Sequence, residues 1–392
     1  MKYNFDEKHD RSNNQSVKYE FVEENFGSKD ILPMWVADMD FKTAQPIIDA
    51  LQERVQQGIY GYTAFNDGYY DSFINWVSKR HDWQVARESL IYSPGVVPSL
   101  ILSIQTLTEP GDNIIIQSPV YGPFRFSIED QDRKVVYNPL KLIDGHYRMD
   151  FEDLKNKIDQ GAKTMLFCNP HNPIGKVWLK EDLETLSKII VEKDITLISD
   201  EIHSDLIFKG HKHIPIASLN DEIKNRTITC MAPSKTFNLA GLQSSIVVVS
   251  NPEIKARLND RFERMHLNHN NCFGQIAFEA AYTEGEEWLE QALEYIEANA
   301  DYVNTYVKEH IHEIKTYKPD GTYLMWLDCR ALGMTQDMLE KFMAAHAKVG
   351  LTSGTFFGEE GEGFMRINLA SSRKIVEKAM HQIENAVRHL RM

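Results

Sequence analysis

Cysteine is scarce in this chain of 392 residues, which contains only Cys168, Cys230, Cys272 and Cys329. They are far apart, each lies in an apolar segment, and none has the spacing of a Cys-x-x-Cys pair or a Cys/His metal site. The pattern excludes a secreted fold held by disulfides and gives no metal site. We predict four reduced thiols in the core and a reducing compartment.

Long apolar segments and an excess of basic residues are also missing. No stretch of about eighteen apolar residues could span a bilayer, and residues 1–10 lack the apolar core of a signal peptide. Lys and Arg number 43 against 57 Asp and Glu, a net charge of −14, which disfavours binding to nucleic acid or anionic membranes. We expect a cytoplasmic protein with neither partner, although a local pocket could still hold a small anion.

The chain does have an alternating pattern of apolar runs rich in β-formers and amphipathic helical segments. Continuous apolar strands separated by helices indicate an α/β fold whose mainly parallel sheet is covered on both faces. The seven predicted strands are Leu90–Tyr92, Asn113–Gln117, Lys134–Tyr137, Thr164–Cys168, Ile195–Ser199, Thr227–Cys230 and Ser245–Val249.

The character of the sequence changes near Glu286, where a long charged helix is predicted to run to about Ile311. The β-like runs Gly321–Asp328 and Phe364–Leu369 and a helix at Thr335–Lys348 indicate a smaller α+β domain. We therefore expect an N-terminal arm that joins the small domain (1–45), a large domain (46–285) and a small C-terminal domain (286–392).

Functional side chains of such a sheet should collect at the carboxyl ends of its strands. Lys235 follows the run Thr227–Cys230 and, if partly desolvated there, would lose its charge readily and act as a nucleophile. Asp200 closes another apolar run, where a carboxylate is costly unless it has a partner. The surroundings of Lys235 alone fit a surface lysine equally well.

Three further segments offer binding groups, each with an ordinary structural alternative. Asn169–Gly175 contains two Asn-Pro pairs that direct the amide of Asn172 to a strand end. The turn at Gly95 opens a helix whose amides could bind phosphate, or it is an ordinary loop. Arg366 interrupts an apolar run and suits either a substrate carboxylate or a structural ion pair. Tyr121 is a stacking surface or a core aromatic.

In this order, Tyr62, Gly95–Val97, Tyr121, Asn172, Asp200, His203, Lys235 and Arg366 resemble the pyridoxal-5′-phosphate (PLP) enzymes of fold type I, the aspartate aminotransferase superfamily, over nearly the whole chain. The resemblance implies that Lys235 is the Schiff-base lysine and the base for the Cα proton. It implies that Asp200 keeps the pyridine nitrogen protonated. Asn172 would donate to the phenolic oxygen and Tyr121 would stack on the ring.

The same resemblance implies the remaining contacts. The phosphate would be held by the amides of Val96 and Val97 and by Ser234, with Tyr62 reaching over from the neighbouring subunit of a homodimer with shared active sites. Arg366 would bind the substrate α-carboxylate, with Ala37 and Asn172 also in the substrate site. His203 would contact the cofactor.

Three positions depart from the usual aminotransferases: His203 in place of tyrosine, Gln243 in place of arginine and Ala232 in place of serine. With Trp35–Phe41, these departures resemble the MalY/PatB family of cystathionine β-lyases, or cysteine C–S lyases. The expected reaction is β-elimination of L-cystathionine or related cysteine S-conjugates to a thiol (homocysteine from cystathionine), pyruvate and ammonia. Lys235, Tyr62 or Tyr121 would protonate the leaving sulfur. An aminotransferase, or a lyase that mainly binds a regulatory partner, are the alternatives.

Overall fold

The computed structural model describes residues 1–11 and 13–390. Its strands are β1 Leu32–Pro33, β2 Leu90–Ser93, β3 Asn113–Ile116, β4 Lys134–Tyr137, β5 Lys141–Ile143, β6 His146–Arg148, β7 Thr164–Cys168, β8 Thr196–Asp200, β9 Thr227–Met231, β10 Ser245–Val249, β11 Lys315–Thr316, β12 Leu324–Asp328, β13 Val349–Gly350, β14 Thr352–Ser353 and β15 Phe364–Asn368. Its α-helices are α1 Val17–Glu20, α2 Val22–Phe26, α3 Gln45–Gln57, α4 Asp67–His81, α5 Val96–Leu107, α6 Pro123–Glu129, α7 Phe151–Asp159, α8 Lys180–Glu192, α9 Asp221–Lys224, α10 Pro233–Thr236, α11 Pro252–Arg264, α12 Cys272–Glu284, α13 Glu286–His310, α14 Gln336–Ala345 and α15 Arg373–Leu390.

Seven strands form one sheet in the order β2-β10-β9-β8-β7-β3-β4. Strand β10 runs antiparallel to both of its neighbours, and the pairs from β9 to β4 are parallel. The predicted seven-stranded, mainly parallel sheet is confirmed. Helices α5 and α11 cover one face with Leu100 and Phe262, and helices α7 and α8 cover the other with Leu154 and Leu186. Burial on both faces explains why these strands read as continuous apolar runs.

The smaller α+β domain is built on the antiparallel sheet β11-β12-β15-β14, together with α13, α14 and α15. Its strand β12 begins only at Leu324, so the predicted β-run starting at Gly321 was three residues too long. Residues 321–323 lie outside the strand because the chain docks there on the large domain, where Gly321 forms an isolated bridge with Ile207. A Cβ on Gly321 would lie 2.5 Å from the carbonyl oxygen of Leu206.

The N-terminal arm contains two short helices, α1 and α2, that the polar sequence did not indicate. Strand β1 then pairs in parallel with β13 through Leu32–Val349 and Pro33–Gly350. The arm therefore attaches to the small domain before it enters the region between the two sheets.

The four cysteines are buried and carry free thiols, as predicted from their apolar settings. None of the helices in residues 1–11 and 13–390 combines the length and the apolar composition that a membrane crossing needs.

Candidate active site

Three predicted site residues meet at one edge of the large sheet. Asp200 is the last residue of β8, Asn172 follows β7, and Lys235 lies in α10 directly after β9. Because these strands are adjacent and parallel, their carboxyl ends lie side by side. All three side chains line a cavity of about 220 Å³.

The side chain of Lys235 is held by the backbone of the N-terminal arm. Its Nζ donates a hydrogen bond to the carbonyl oxygen of Ala37 at 2.7 Å. The hydroxyl of Tyr323 donates to the same oxygen at 2.9 Å. Burial, followed by the nearby charge of Arg366, lowers the pKa of Lys235 to about 8. The amine therefore loses its proton far more readily than an exposed lysine, and it is mostly a neutral nucleophile or base once the pH exceeds about 8.

Amide side chains from both domains fix the arm around Ala37. Asn238, in the segment after Lys235, accepts a hydrogen bond from the backbone nitrogen of Met39 at 3.0 Å. Its Nδ2 donates to the carbonyl oxygen of Phe41 at 3.0 Å. From the small domain, Asn368 donates to the carbonyl oxygen of Asp38 at 2.6 Å. The acceptor of Lys235 is thus clamped on both sides.

A partly buried group of charges supports the same arm. Arg11 pairs with Asp38 at 2.5 Å and with Asp40 at 2.7 Å, and fully buried Lys18 pairs with Asp40 at 2.8 Å. Burial alone would raise the pKa of Asp40, but Lys18 and Arg11 outweigh that effect and hold it below its usual value. The sequence did not identify Arg11 or Lys18, although two acids in an apolar arm signal that cations must lie nearby.

Asp200 is buried without a cationic partner. Its Oδ1 accepts a hydrogen bond from the backbone nitrogen of Ile202 at 3.1 Å, and it forms no ion pair with the residues the structure describes. Burial raises the pKa of Asp200 to about 7. The charge of Lys235 offsets this effect of burial only in part, and a protonated ring nitrogen in the cavity would provide the remaining counter-charge.

Arg366 is buried and points toward Asn172. Its Nη1 donates to Oδ1 of Asn172 at 3.1 Å, and its Nη2 donates to the carbonyl oxygen of Trp35 at 2.9 Å and to the hydroxyl of Thr352 at 3.2 Å. No carboxylate among the described residues forms an ion pair with it, and its Nε has no hydrogen-bond partner. Burial lowers its pKa to about 10. The guanidinium is thus positioned to bind an anion, and the amide nitrogen of Asn172 remains available as a donor.

One end of the cavity is formed by neutral donors. Helix α5 starts at Val96 without a side-chain cap, so the amides of its first turn, including that of Val97, have no acceptor within the helix. Ser234 and Gln243 line the cavity as well. Lys235 is the only lysine or arginine among the described lining residues, so an anionic group here would be bound by backbone and hydroxyl donors.

Tyr121 and His203 also line the cavity. Burial raises the pKa of Tyr121, so its hydroxyl keeps its proton. Burial and the charge of Lys235 lower the pKa of His203 to about 3, so its ring is neutral. Its Nδ1 is buried without a hydrogen-bond partner. Both residues therefore present uncharged rings.

Tyr62 is not brought to this cavity within the chain. It lies in a loop before α4 and its side chain is fully exposed. The sequence-based expectation placed it in the site of a neighbouring subunit, so its position outside this chain's own site agrees with that expectation but does not test it.

Sequence analysis also did not identify two residues that support the site. Tyr323 looked like part of a strand, yet its hydroxyl reaches Ala37. Asp205 is buried and accepts hydrogen bonds at 2.9 Å from Trp76 and from Thr236, the residue after Lys235. His81 contacts the same carboxylate at 2.9 Å. The only sequence signal for Asp205 was its position as an acidic residue shortly after the end of β8.

Residues 29–383 match the sequence model of the family aminotransferase class I and II. The chain therefore belongs to that family. It is 43% identical to the cystathionine beta-lyase PatB of Bacillus subtilis over 98% of this chain and 100% of the relative. The structure of cystalysin from Treponema denticola, which contains PLP, is 35% identical with a TM-score of 0.97 over 100% of both chains. A PLP-bound C–S lyase from Staphylococcus hominis is 33% identical with a TM-score of 0.90 over 98% of this chain and 99% of that one.

Proposed function

We propose that this protein is a PLP-dependent C–S lyase that cleaves L-cystathionine or a related cysteine S-conjugate, with uptake of one water, into a thiol, pyruvate and ammonia. The observation that carries the proposal is the meeting of Lys235, Asp200 and Asn172 around one cavity. The similarity to relatives named as lyases supports the same reaction.

The residues present fit the cofactor. Asp200 would face the ring nitrogen, Asn172 would donate to the phenolic oxygen, and Tyr121 would lie against the ring. Val96, Val97 and Ser234 would hold the phosphate, with His203 as a neutral neighbour. When bound, PLP supplies a ring that accepts the electron pair left at the substrate Cα.

The chain itself would bind the substrate and move its protons. Arg366 would hold the α-carboxylate, since a buried guanidinium without a carboxylate partner gains most from one. Ala37 and Asn172 would border the same subsite. Lys235, with its lowered pKa, would carry the cofactor and then take the proton from Cα.

Elimination requires one further proton, for the leaving sulfur. Lys235 would hold the Cα proton after abstraction and could return it to the thiolate. The hydroxyl of Tyr121 keeps its proton at neutral pH and lines the cavity, and Tyr62 of the neighbouring subunit is the third donor. A proton from any of these three groups would complete the elimination.

The distinguishing experiment is incubation of the PLP-loaded protein with L-cystathionine and no 2-oxo acid. We expect pyruvate and a thiol in equal amounts. A strict requirement for a 2-oxo acid acceptor would instead assign the protein as an aminotransferase, the alternative within the same family.

The site residues also imply an assembly and a domain division. The loop before α4 exposes neighbouring apolar side chains, with Ile59 75%, Tyr60 53% and Tyr62 fully exposed, as expected of a surface that a second subunit covers. We therefore propose a cytoplasmic homodimer with shared active sites.

The domain division we propose is residues 1–45, 46–285 and 286–392, with the arm joined to the small domain.

A further inference from the structure

Helix α10 carries both Lys235 and Ser234 but is only four residues long, Pro233–Thr236. It follows β9 through Ala232, which is extended and supplies no side-chain cap. A helix this short gains little stability from its own hydrogen bonds, so contacts with the rest of the protein must set its orientation. The point from which Lys235 reaches into the cavity depends on those contacts.

Two side chains of α10 form hydrogen bonds with other parts of the described chain. The Nζ of Lys235 donates to the carbonyl oxygen of Ala37 at 2.7 Å, and the hydroxyl of Thr236 donates to Oδ2 of Asp205 at 2.9 Å. When Nζ moves to the cofactor or to the substrate, it leaves Ala37. The bond from Thr236 to Asp205 is then the side-chain hydrogen bond that still holds α10.

Asp205 divides its two carboxylate oxygens between two helices. Its Oδ2 faces α10, whereas its Oδ1 accepts a hydrogen bond from Nε1 of Trp76 at 2.9 Å and contacts Nε2 of His81 at 2.9 Å. Arg80 donates from Nη2 to the backbone carbonyl oxygen of Asp205 at 3.2 Å. Because Trp76, Arg80 and His81 all belong to α4, the carboxylate ties α10 to the C-terminal part of that helix.

The segment from Glu201 to Asp205 is itself fixed by buried polar contacts. Glu201 is fully buried, accepts a hydrogen bond from the hydroxyl of Ser199 at 2.8 Å and contacts Nε2 of His213 at 2.8 Å. The ring of His213 packs edge-on against that of His81, with ring centroids 5.2 Å apart. Hydrogen bonds to a carboxylate are among the strong ones in proteins. Asp205 is therefore a fixed point against which α10 is held.

The link between Asp205 and Lys235 is one of position. Neither Asp205 nor Thr236 lines the cavity, so neither would touch the cofactor or the substrate. Burial is the main cause of the lowered pKa of Lys235, followed by the charge of Arg366. Asp205 instead reaches the lysine through the hydroxyl of Thr236, the next residue in the chain.

We propose that Asp205 is a positioning residue for Lys235. Through the hydroxyl of Thr236 it holds α10 in place, and so keeps Nζ within reach of the cofactor aldehyde and of the substrate Cα after that nitrogen has left Ala37. This inference rests on the roles proposed above for Lys235.

The test removes one hydrogen bond at a time from the same carboxylate. Thr236→Val keeps the shape of the side chain but loses the bond to Oδ2, and Thr236→Ser keeps a hydroxyl. The matched control is Trp76→Phe, which loses a bond to Oδ1 on the α4 side. Urea unfolding gives the stability of each protein. Absorbance gives the rate at which the cofactor-free form attaches PLP, and pyruvate release from L-cystathionine gives kcat and KM.

Thr236→Val should lower both the rate of PLP attachment and kcat about tenfold, because displacing a reacting group slows its reactions. KM and the pH midpoint of attachment should stay unchanged. Thr236→Ser should keep both rates within about threefold of the wild type, and Trp76→Phe within about twofold, although Trp76→Phe also loses stability.

Equal losses of kcat in Thr236→Val and Trp76→Phe would overturn this inference, because they would follow stability alone. So would unchanged rates in Thr236→Val, or a shift of its pH midpoint, which would make the effect electrostatic. A wild type that releases no pyruvate would overturn the proposed lyase, and the rates of PLP attachment would still decide the role of Asp205.

Discussion

The amine of Lys235 and the carbonyl oxygen of Ala37 are joined by a hydrogen bond of 2.7 Å, although 198 residues separate them in the chain. The hydroxyl of Tyr323 donates to the same oxygen. The lysine is therefore held in place by the arm and the small domain as well as by its own strand end. The predictions below follow from this arrangement.

Replacing Lys235 by alanine should abolish thiol release, by about 10³-fold or more, because the chain would lose both its attachment point for PLP and its base for the Cα proton. Pyruvate formation from L-cystathionine measures the effect, and the visible absorption of the lysine-bound cofactor should disappear. Lys188→Ala is the control, since that side chain is 74% exposed on α8. Full activity in Lys235→Ala would remove the lysine from the mechanism.

Uptake of PLP by the cofactor-free protein should accelerate with pH and level off above about pH 8. Below the pKa of Lys235, about 8, the side chain is an ammonium ion and cannot attack the aldehyde. The positive charge of Arg366 contributes to this low value. Arg366→Gln should therefore move the midpoint to higher pH by about one unit, whereas Arg366→Lys should keep it. A midpoint that is the same in all three proteins would contradict the electrostatic link.

Asp200→Asn should bind PLP but lower kcat by about 10²-fold or more. The amide keeps the shape of the side chain yet cannot balance a protonated ring nitrogen, so the Cα electron pair loses its stabilisation. Absorbance of the bound cofactor establishes occupancy before the rate is measured. Unchanged kcat at full occupancy would show that Asp200 does not face the ring.

Asp205→Asn should destabilise the protein by about 2–3 kcal/mol in urea unfolding at neutral pH, because it replaces a buried carboxylate that serves Trp76, His81 and Thr236. Burial alone would raise the pKa of Asp205, but the hydrogen bond and charge of His81 and the charge of Arg80 lower it to about 2.

The folded-state pKa of Asp205 therefore lies below the unfolded value of about 3.9. Its contribution to stability is present above about pH 4 and is lost as the pH falls toward 2. The variant should lack this part of the acid-induced loss. Asp221→Asn, at a carboxylate 89% exposed, is the control and should change neither quantity. Equal unfolding free energies of wild type and Asp205→Asn would contradict the prediction.

Mixing two inactive proteins tests the shared site. If Tyr62 acts in the neighbouring subunit, a heterodimer of Lys235→Ala and Tyr62→Ala subunits has one site with both changes and one with neither. Random reassembly of equal amounts should therefore recover about a quarter of wild-type activity. Recovery of no activity from well-formed heterodimers would place Tyr62 and Lys235 in the site of the same subunit.

Sequence reasoning reached the large sheet and the strand-end residues for a physical reason. Parallel strands are apolar throughout, so they stand out, and an acid such as Asp200 at the end of one is conspicuous. The contacts of Tyr323 and Arg11 with the arm could not be predicted, because they depend on how the domains and the N-terminus dock. The short helices α1 and α2 were missed because they are too brief for a periodic pattern.

The arm is bound to both domains. Met39 and Phe41 are bound by Asn238 of the large domain, whereas Val36 and Asp38 are bound by Asn368 and Asp40 by Ala370 of the small domain. Ala37 lies between two residues that the small domain holds. A rotation of the small domain would therefore carry away the acceptor of Lys235, so domain closure and the state of the lysine amine are mechanically coupled.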